Sequence, residues 1–145
     1  MSKAIPEGYH SVQAYIIVEG AARAIEFYKK AFGATERLRM KMPDGRVSHA
    51  EIQIGDSVVM MADESASSDA FAPGHFGGSP VALMIYTDDC DAMYKRALAA
   101  GATSVRGPAD QPYDDRMSGV KDPFGYKWWI ATHISDKTKE ELEKL

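Results

Sequence analysis

The chain is written twice, and that doubling constrains its fold more than any single motif does. Paired at a separation of 68 residues, Ala24 meets Ala92, Ala31 meets Ala99, Gly33 meets Gly101, Ala34 meets Ala102 and Thr35 meets Thr103. The phrase "AFGAT" thus recurs as "AAGAT". At a separation of 70, Asp44 meets Asp114, Arg46 meets Arg116, Ser48 meets Ser118 and Gly55 meets Gly125. Two residues have been added between the matched blocks, as a loop allows. The 145 residues fit one domain and are long enough to bury a substantial core.

The structural punctuation repeats along with the residues. Each half opens with an apolar run suited to a strand, "VQAYIIV" and then "PVALMIY". A helix-period segment follows in both, with Ala21, Ala24, Ile25, Tyr28 and Phe32 on one face in the first and Cys90, Met93, Tyr94, Ala97 and Leu98 in the second. Gly33 and Gly101 stop these helices. Three strands come next: "TERLRMKM", "RVSHAEIQI" and "SVVMMAD", then roughly "ATSVR", "DRMSGVK" and "YKWWIATH". The expected class is α+β, a βαβββ module at 11–63 and another at 80–133. The polar Gly/Pro-containing stretch 64–79 reads as the linker between them, and 136–145 as a short capped helix.

Composition excludes several partners. With 17 basic against 21 acidic side chains, net −4, and no run of one sign, there is no electrostatic footprint for nucleic acid and no basic helix for a membrane surface. The single cysteine, Cys90, excludes an intrachain disulfide and a cysteine-rich zinc site, and its place in a helix-period apolar pattern reads as a buried structural thiol. The start, "MSKAIPEGYH", lacks the apolar core of a signal peptide, and no apolar run reaches membrane-spanning length. A soluble cytoplasmic protein is expected.

Alternation assigns faces to the strands. Helices on one side of a sheet require that side to be apolar, so in "HAEIQI" the side chains of Ala50, Ile52 and Ile54 face the helices, leaving His49, Glu51 and Gln53 on the open face. The same logic puts Gln13 and Tyr15 together. In the last strand Trp128 and Trp129 must face opposite ways, so one of them joins the open face. Polar groups beside large apolar ones describe a lined pocket.

The stretches "AIEFYKKAFGA", "HAEIQIGDSVVMMADE", "DDRMSGVKDPFG" and "WWIATH", together with the doubled βαβββ order, resemble the vicinal oxygen chelate family, which holds glyoxalase I, the bleomycin-resistance proteins and the extradiol dioxygenases. The resemblance runs closest to its PhnB-like branch. It implies two modules whose strands form one cupped mixed sheet around a ligand cavity, with helices on the outer face, usually within a homodimer. Metal-dependent members place one ligand on the first and one on the last strand of each module. Carried onto this chain, those positions fall on Gln13, on Val59, on Val81 or Ala82, and on Trp129, where the family pattern after "DPFG" has glutamate. Three of the four lack a donor, so no metal or other cofactor is expected. The same carry-over puts Trp129 on the cup side, as a flat surface for an aromatic ligand, and Trp128 beneath the helices.

The leading functional expectation is a metal-independent binding protein for a small apolar or aromatic molecule, with Gln13, Tyr15, Gln53, Arg116 and Trp129 as ligand contacts. The alternative is a lyase, isomerase or dioxygenase using a rearranged site at Gln13, His49 and Glu51, with His49 and Glu51 as an acid/base pair or with a divalent metal. Arg116, near the cup mouth, is a candidate anchor for an anion, with a salt bridge to the neighbouring aspartates as the favoured reading. A third possibility is a structural dimer with a vestigial cavity.

Overall fold

A computed structural model describes residues 2–145 and resolves the doubled pattern into two units, the first ending at Gly78 and the second running from Ser79 to Leu145. In the first, β1 (Ala14–Val18), α1 (Ala21–Phe32), β2 (Thr35–Lys41), β3 (Val47–Ile54) and β4 (Ser57–Asp63) follow one another. They form a mixed sheet of order β1-β4-β3-β2 in which β1 runs parallel to β4 and the other neighbours are antiparallel. The 64–79 stretch is more ordered than a plain linker, because it carries a 3-10 turn at Ala66–Ser68 and the one-turn helix α2 (Pro73–Phe76). Glu64 Oε1 holds it by accepting the Ala72 N–H at 2.7 Å.

The second unit repeats the plan with β5 (Ala82–Tyr86), α3 (Cys90–Ala100), β6 (Thr103–Asp110), β7 (Asp115–Lys121) and β8 (Lys127–His133), in the order β5-β8-β7-β6. Again the first and last strands are parallel. The tail adds α4 (Lys139–Glu143), capped by the Thr138 hydroxyl, which accepts the Glu141 N–H. No helix among the described residues is long and apolar enough to cross a membrane.

The helices form where the apolar spacing demands it. On α1, Ala21, Ala24, Ile25, Tyr28, Ala31 and Phe32 recur at intervals of three and four and are all buried. Gly33 ends the helix in the left-handed region at φ 69°, returning its N–H to Lys29 O at 3.1 Å. The start has no side chain of its own to cap it, since Gly20 stands there. Asp63, at the end of β4, does the work instead: Oδ1 accepts the N–H groups of Gly20 and Ala21 at 2.9 and 2.8 Å, and Oδ2 accepts that of Val47 at 2.8 Å. One carboxylate therefore locks helix, last strand and third strand together. The second unit uses a milder version, in which Thr132 Oγ1 on β8 accepts the Cys90 N–H at 2.8 Å and Asp89 accepts that of Ala92. The α3 face is less deeply buried: Cys90 and Ala97 are fully covered, while Met93, Tyr94 and Leu98 are half-buried.

Each sheet has one face under its helix and one without a helix. In the first, Ile16, Val18, Ala50, Ile52, Ile54, Val59 and Met61 are buried on the α1 side, as alternation requires. In the second, Ser118, Val120, Trp128 and Ile130 are buried on the α3 side, with the Cys90 thiol donating to Ile130 O at 3.1 Å.

Candidate functional site

On the open face of the first sheet, strand register lines up Tyr15 of β1, Met60 of β4, Glu51 of β3 and Leu38 of β2 in one cross-strand row. Polar groups meet there in a chain. Tyr9, in the turn before β1, donates its phenolic hydrogen to Glu51 Oε1. Glu51 Oε2 lies 2.7 Å from His49 Nε2, and His49 Nδ1 lies 2.9 Å from the Tyr15 hydroxyl. Glu51 is only 6% exposed. Burial pushes its carboxyl up, but the hydrogen bonds from Tyr9 and His49 and the charges of His49 and Arg37 outweigh that and hold it below the ordinary range. The imidazole bridges the two groups, Nε2 meeting the carboxylate and Nδ1 the Tyr15 hydroxyl. Burial, and then the Glu51 charge, raise the Tyr15 phenol, which keeps its proton while half its surface faces solvent. Beside the chain, Arg37 donates to Gln53 Oε1 at 2.6 Å and lies 5.0 Å from the centre of the Tyr9 ring. The arrangement is a protonated phenol at the surface, wired through an imidazole to a buried carboxylate.

The open face of the second sheet differs. Register places Met84, Trp129, Gly119 and Arg106 in one row across β5, β8, β7 and β6. The Trp129 indole lies over Gly119 so closely that a Cβ built there would stand 2.5 Å from Cζ3. Only glycine leaves room for the ring to lie down. Lys127 Nζ and Arg106 Cζ sit 5.7 and 6.0 Å from the ring centre. Toward the strand ends, Asp115 accepts from Tyr86 at 2.8 Å and pairs with His133 Nδ1 at 3.0 Å, while His133 Nε2 reaches Asp136 at 2.8 Å. The hydrogen bonds to Asp136 and then Asp115 raise the His133 pKa.

Trp128 takes the other face. It is 1% exposed, and its indole N–H donates to Asp122 Oδ2 at 2.8 Å. The other oxygen of Asp122 accepts the Phe124 and Tyr126 N–H groups, so the "DPFG" turn and the core tryptophan share one carboxylate.

Of the residues singled out from the sequence, Tyr15, His49, Glu51 and Gln53 come together on one open face, and Trp129 stands on the other sheet's open face. Two do not join them. Gln13 lies just before β1 and spends its amide on the local turn, accepting the His10 N–H at 2.6 Å and donating to His10 O at 2.7 Å. Arg116, expected as an anion anchor, lies on the α3 side of β7. It donates from Nε and Nη2 to Asp91 of α3 at 2.7 and 2.9 Å and from Nη1 to Asp110 at 3.0 Å, so all its charge is already answered within the fold.

The positions that the resemblance carried over as metal positions hold one side-chain oxygen donor, Gln13. Gln13 is engaged as described, Val59 packs on the helix side, Val81 and Ala82 have no donor, and Trp129 presents an indole. Among the described residues no group of three or more His, Cys, Asp or Glu side chains is placed to hold a metal.

Sequence reasoning missed Tyr9, Arg37, Tyr86 and Arg106. Tyr9 sits in the aperiodic "PEGYH" turn, where nothing predicts a partner 42 residues away. Arg37 and Arg106 flank or occupy the register shifts of β2 and β6, which defeat simple alternation.

Comparison with known proteins bears on all of this. The family model of the Glyoxalase/Bleomycin resistance protein/Dioxygenase superfamily matches residues 9–130. The uncharacterized protein Rv0887c of Mycobacterium tuberculosis is 37% identical over 132 residues, covering 89% of this chain and 78% of that protein. The uncharacterized Arabidopsis thaliana protein At5g48480 is 32% identical over 129 residues, covering 81% and 76%. Among solved structures, that of TioX from Micromonospora sp. ML1 superposes with a TM-score of 0.67 at 23% identity, covering 89% of this chain and all of TioX.

Proposed function

The chain belongs to the glyoxalase/bleomycin resistance protein/dioxygenase superfamily, and from that premise we propose that it is a small-molecule-binding protein of the glyoxalase/bleomycin-resistance type that works without the family's metal. Its ligand is a planar apolar or aromatic compound. One observation carries the reading: Trp129 occupies the strand position where the family pattern has a metal-binding glutamate, and it lies flat over Gly119 on an open sheet face. A half-buried indole held in that pose is a stacking surface. The motif residues favour the PhnB-like branch, in line with the likeness in fold to a PhnB protein from Bacillus cereus, TM-score 0.65 at 17% identity. Exposed Tyr15, Leu38 and Met40 on the first sheet's open face support a homodimer, because a monomer seldom leaves such side chains in water together. The lone buried thiol suits the cytoplasm.

The test is titration with a naphthalene-based ligand followed by indole fluorescence. Quenching is expected to vanish in Trp129→Phe and to survive in Trp128→Phe; the reverse would sink the assignment. Sedimentation at micromolar concentration reads the dimer, and a monomeric mass would overturn it.

The Tyr15–His49–Glu51 chain favours a second reading, acid/base catalysis on the first sheet's open face, with Gln13 no longer part of the site. Elemental analysis with native mass spectrometry separates the readings together with a thermal shift. A chelator-sensitive rise in melting temperature with zinc, nickel or manganese would favour a metal enzyme over the binding protein.

A further inference from the structure

We propose that the ligand carried on Trp129 is an anion, a planar aromatic ring bearing a carboxylate or phosphate, and that Arg106, Lys121 and Lys127 form its charge subsite. The inference rests on the stacking role assigned to Trp129 and adds the chemical class.

Three observations lead there. First, the register of the second sheet places Lys121 of β7 directly opposite Lys127 of β8. Like charges facing each other across an antiparallel pair are destabilising. A pair of this kind is normally relieved by an acidic neighbour, and here the adjacent Asp122 is unavailable: its two oxygens are occupied by Phe124, Tyr126 and the Trp128 indole. Second, Arg106 sits opposite Gly119 in the next row, so its guanidinium reaches the same indole from the far side of the glycine gap. Third, among the described residues none of Arg106, Lys121 and Lys127 makes an ion pair, and two of them meet the Trp129 ring. In a chain of net charge −4, two cations without an ion pair at one aromatic ring, with a third facing one of them across the strands, mark a site for a ligand that supplies the missing charge.

The geometry also limits the ligand. Lys127 and Arg106 lie at similar distances from the ring centre, 5.7 and 6.0 Å, and Lys121 is the cross-strand neighbour of Lys127. A ring stacked on the indole therefore carries its anionic group at the edge, within reach of the lysines. A neutral aromatic would gain the stacking but leave the lysine pair unrelieved.

The test compares 2-naphthoate with 2-naphthamide, which share the ring and differ in charge, by calorimetric titration at low and at physiological salt. Naphthoate is expected to bind about tenfold tighter at low salt, the scale of a few exposed charge pairs, with the advantage shrinking as salt screens it. Lys127→Met or Arg106→Met should lower naphthoate affinity toward that of naphthamide and leave naphthamide unchanged. 1-Naphthyl phosphate in a third arm distinguishes the two anionic groups, and tighter binding than naphthoate assigns the phosphate. A readout free of ligand is the stability of Lys121→Thr: removing the like-charge pair should raise the melting temperature. Equal affinity for naphthoate and naphthamide would overturn the charge subsite while leaving the stacking platform standing. Failure of both to bind, with no quenching of Trp129, would overturn the stacking platform itself and the subsite with it.

Discussion

Gly119→Ala gives the most direct measure of how Trp129 is held. Gly119 has no positive φ, so alanine fits its backbone, and on that ground the change should stabilise by about 0.4–1 kcal/mol through the unfolded chain. The indole opposes this. A methyl at position 119 would stand 2.5 Å from Cζ3, 2.7 Å from Cε3 and 3.5 Å from Cη2 of Trp129, whereas carbon atoms rest roughly 3.5–4.0 Å apart. The ring must therefore move by about 1 Å or swing off the sheet, and forcing a methyl into occupied space costs about 1–3 kcal/mol. The clash outweighs the entropy gain, for a net loss of roughly 1 kcal/mol, or about 2–4 °C in melting temperature for a chain of this size. The decisive comparison is a double-mutant cycle. In a Trp129→Ala background the obstacle is gone, so Gly119→Ala should change sign and stabilise by about 0.4–1 kcal/mol. Denaturant unfolding of the four proteins, followed by circular dichroism, reads the cycle. If Gly119→Ala has the same effect in both backgrounds, the indole does not lie on the glycine and the stacking platform loses its basis.

Trp128→Ala should cost about 3–5 kcal/mol in the same unfolding assay, because it empties a core position and removes the indole hydrogen bond to Asp122 Oδ2, whereas Trp129→Ala should cost clearly less. Val59→Glu should unfold the protein by burying an unpaired charge against α1, at about 4 kcal/mol or more, while Met60→Glu, one residue on, should leave a folded protein by circular dichroism. Strong acid should release the tail. Asp114 accepts from Ser135 and from the Lys137 backbone and ammonium, and these hold its pKa at about 2. A depressed carboxylate contributes stability that is complete above the unfolded value of roughly 3.9 and lost as pH falls through the folded one. The protection of the Lys137 amide, corrected for the intrinsic exchange rate, should therefore fall between about pH 4 and pH 2, and Asp114→Asn should produce that loss at neutral pH; an amide equally protected in both proteins would refute the tether.

Much of the fold was legible because period and punctuation agree. The α1 stripe, the glycine stops and the strand order follow from spacings of three, four and two, and the open-face placement of His49, Glu51 and Gln53 followed from Ala50, Ile52 and Ile54 alone. What alternation cannot supply is the partner of each polar group. Glu51 is buried because Tyr9 comes back over it from a turn, a contact between residues far apart in the chain. The expected ion pairing of Arg116 with aspartates is present, but its face and its partners were not legible, for a related reason. In "DRMSGVK" the helix-facing positions are Arg116, Ser118 and Val120, two of them polar, so the strand shows no apolar alternation that would assign its face. Its actual partner, Asp91, lies on the first turn of α3 and is invisible without the packing of helix on sheet.

The repeat itself explains why Val59 was matched with Trp129. A separation of 70 pairs Gly55 with Gly125 and holds through β3 and β7, where Ala50 and Val120 are both buried on the helix side. Beyond the glycines it fails. Strands β3 and β4 are joined by two residues, Gly55 and Asp56, whereas β7 and β8 are joined by five, 122–126. The five-residue connection has the pattern of the turn between β2 and β3: Gly45 N–H returns to Met42 O and Met42 N–H to Arg46 O, just as Gly125 returns to Asp122 and Asp122 to Tyr126. Three extra residues are an odd number, and an odd shift moves every side chain of a strand to the opposite face. Val59 therefore packs beneath α1 while Trp129 lies in the open, and Met60 is the residue beside Tyr15 on the first sheet's free side. The two modules keep the same helix-side core and differ where a ligand would meet them. One row reads Tyr15, Met60, Glu51, Leu38 and carries a buried carboxylate; the other reads Met84, Trp129, Gly119, Arg106 and carries a guanidinium without an ion pair among the described residues. A length change in one turn, neutral for the core, is enough to give each half a different open-face chemistry.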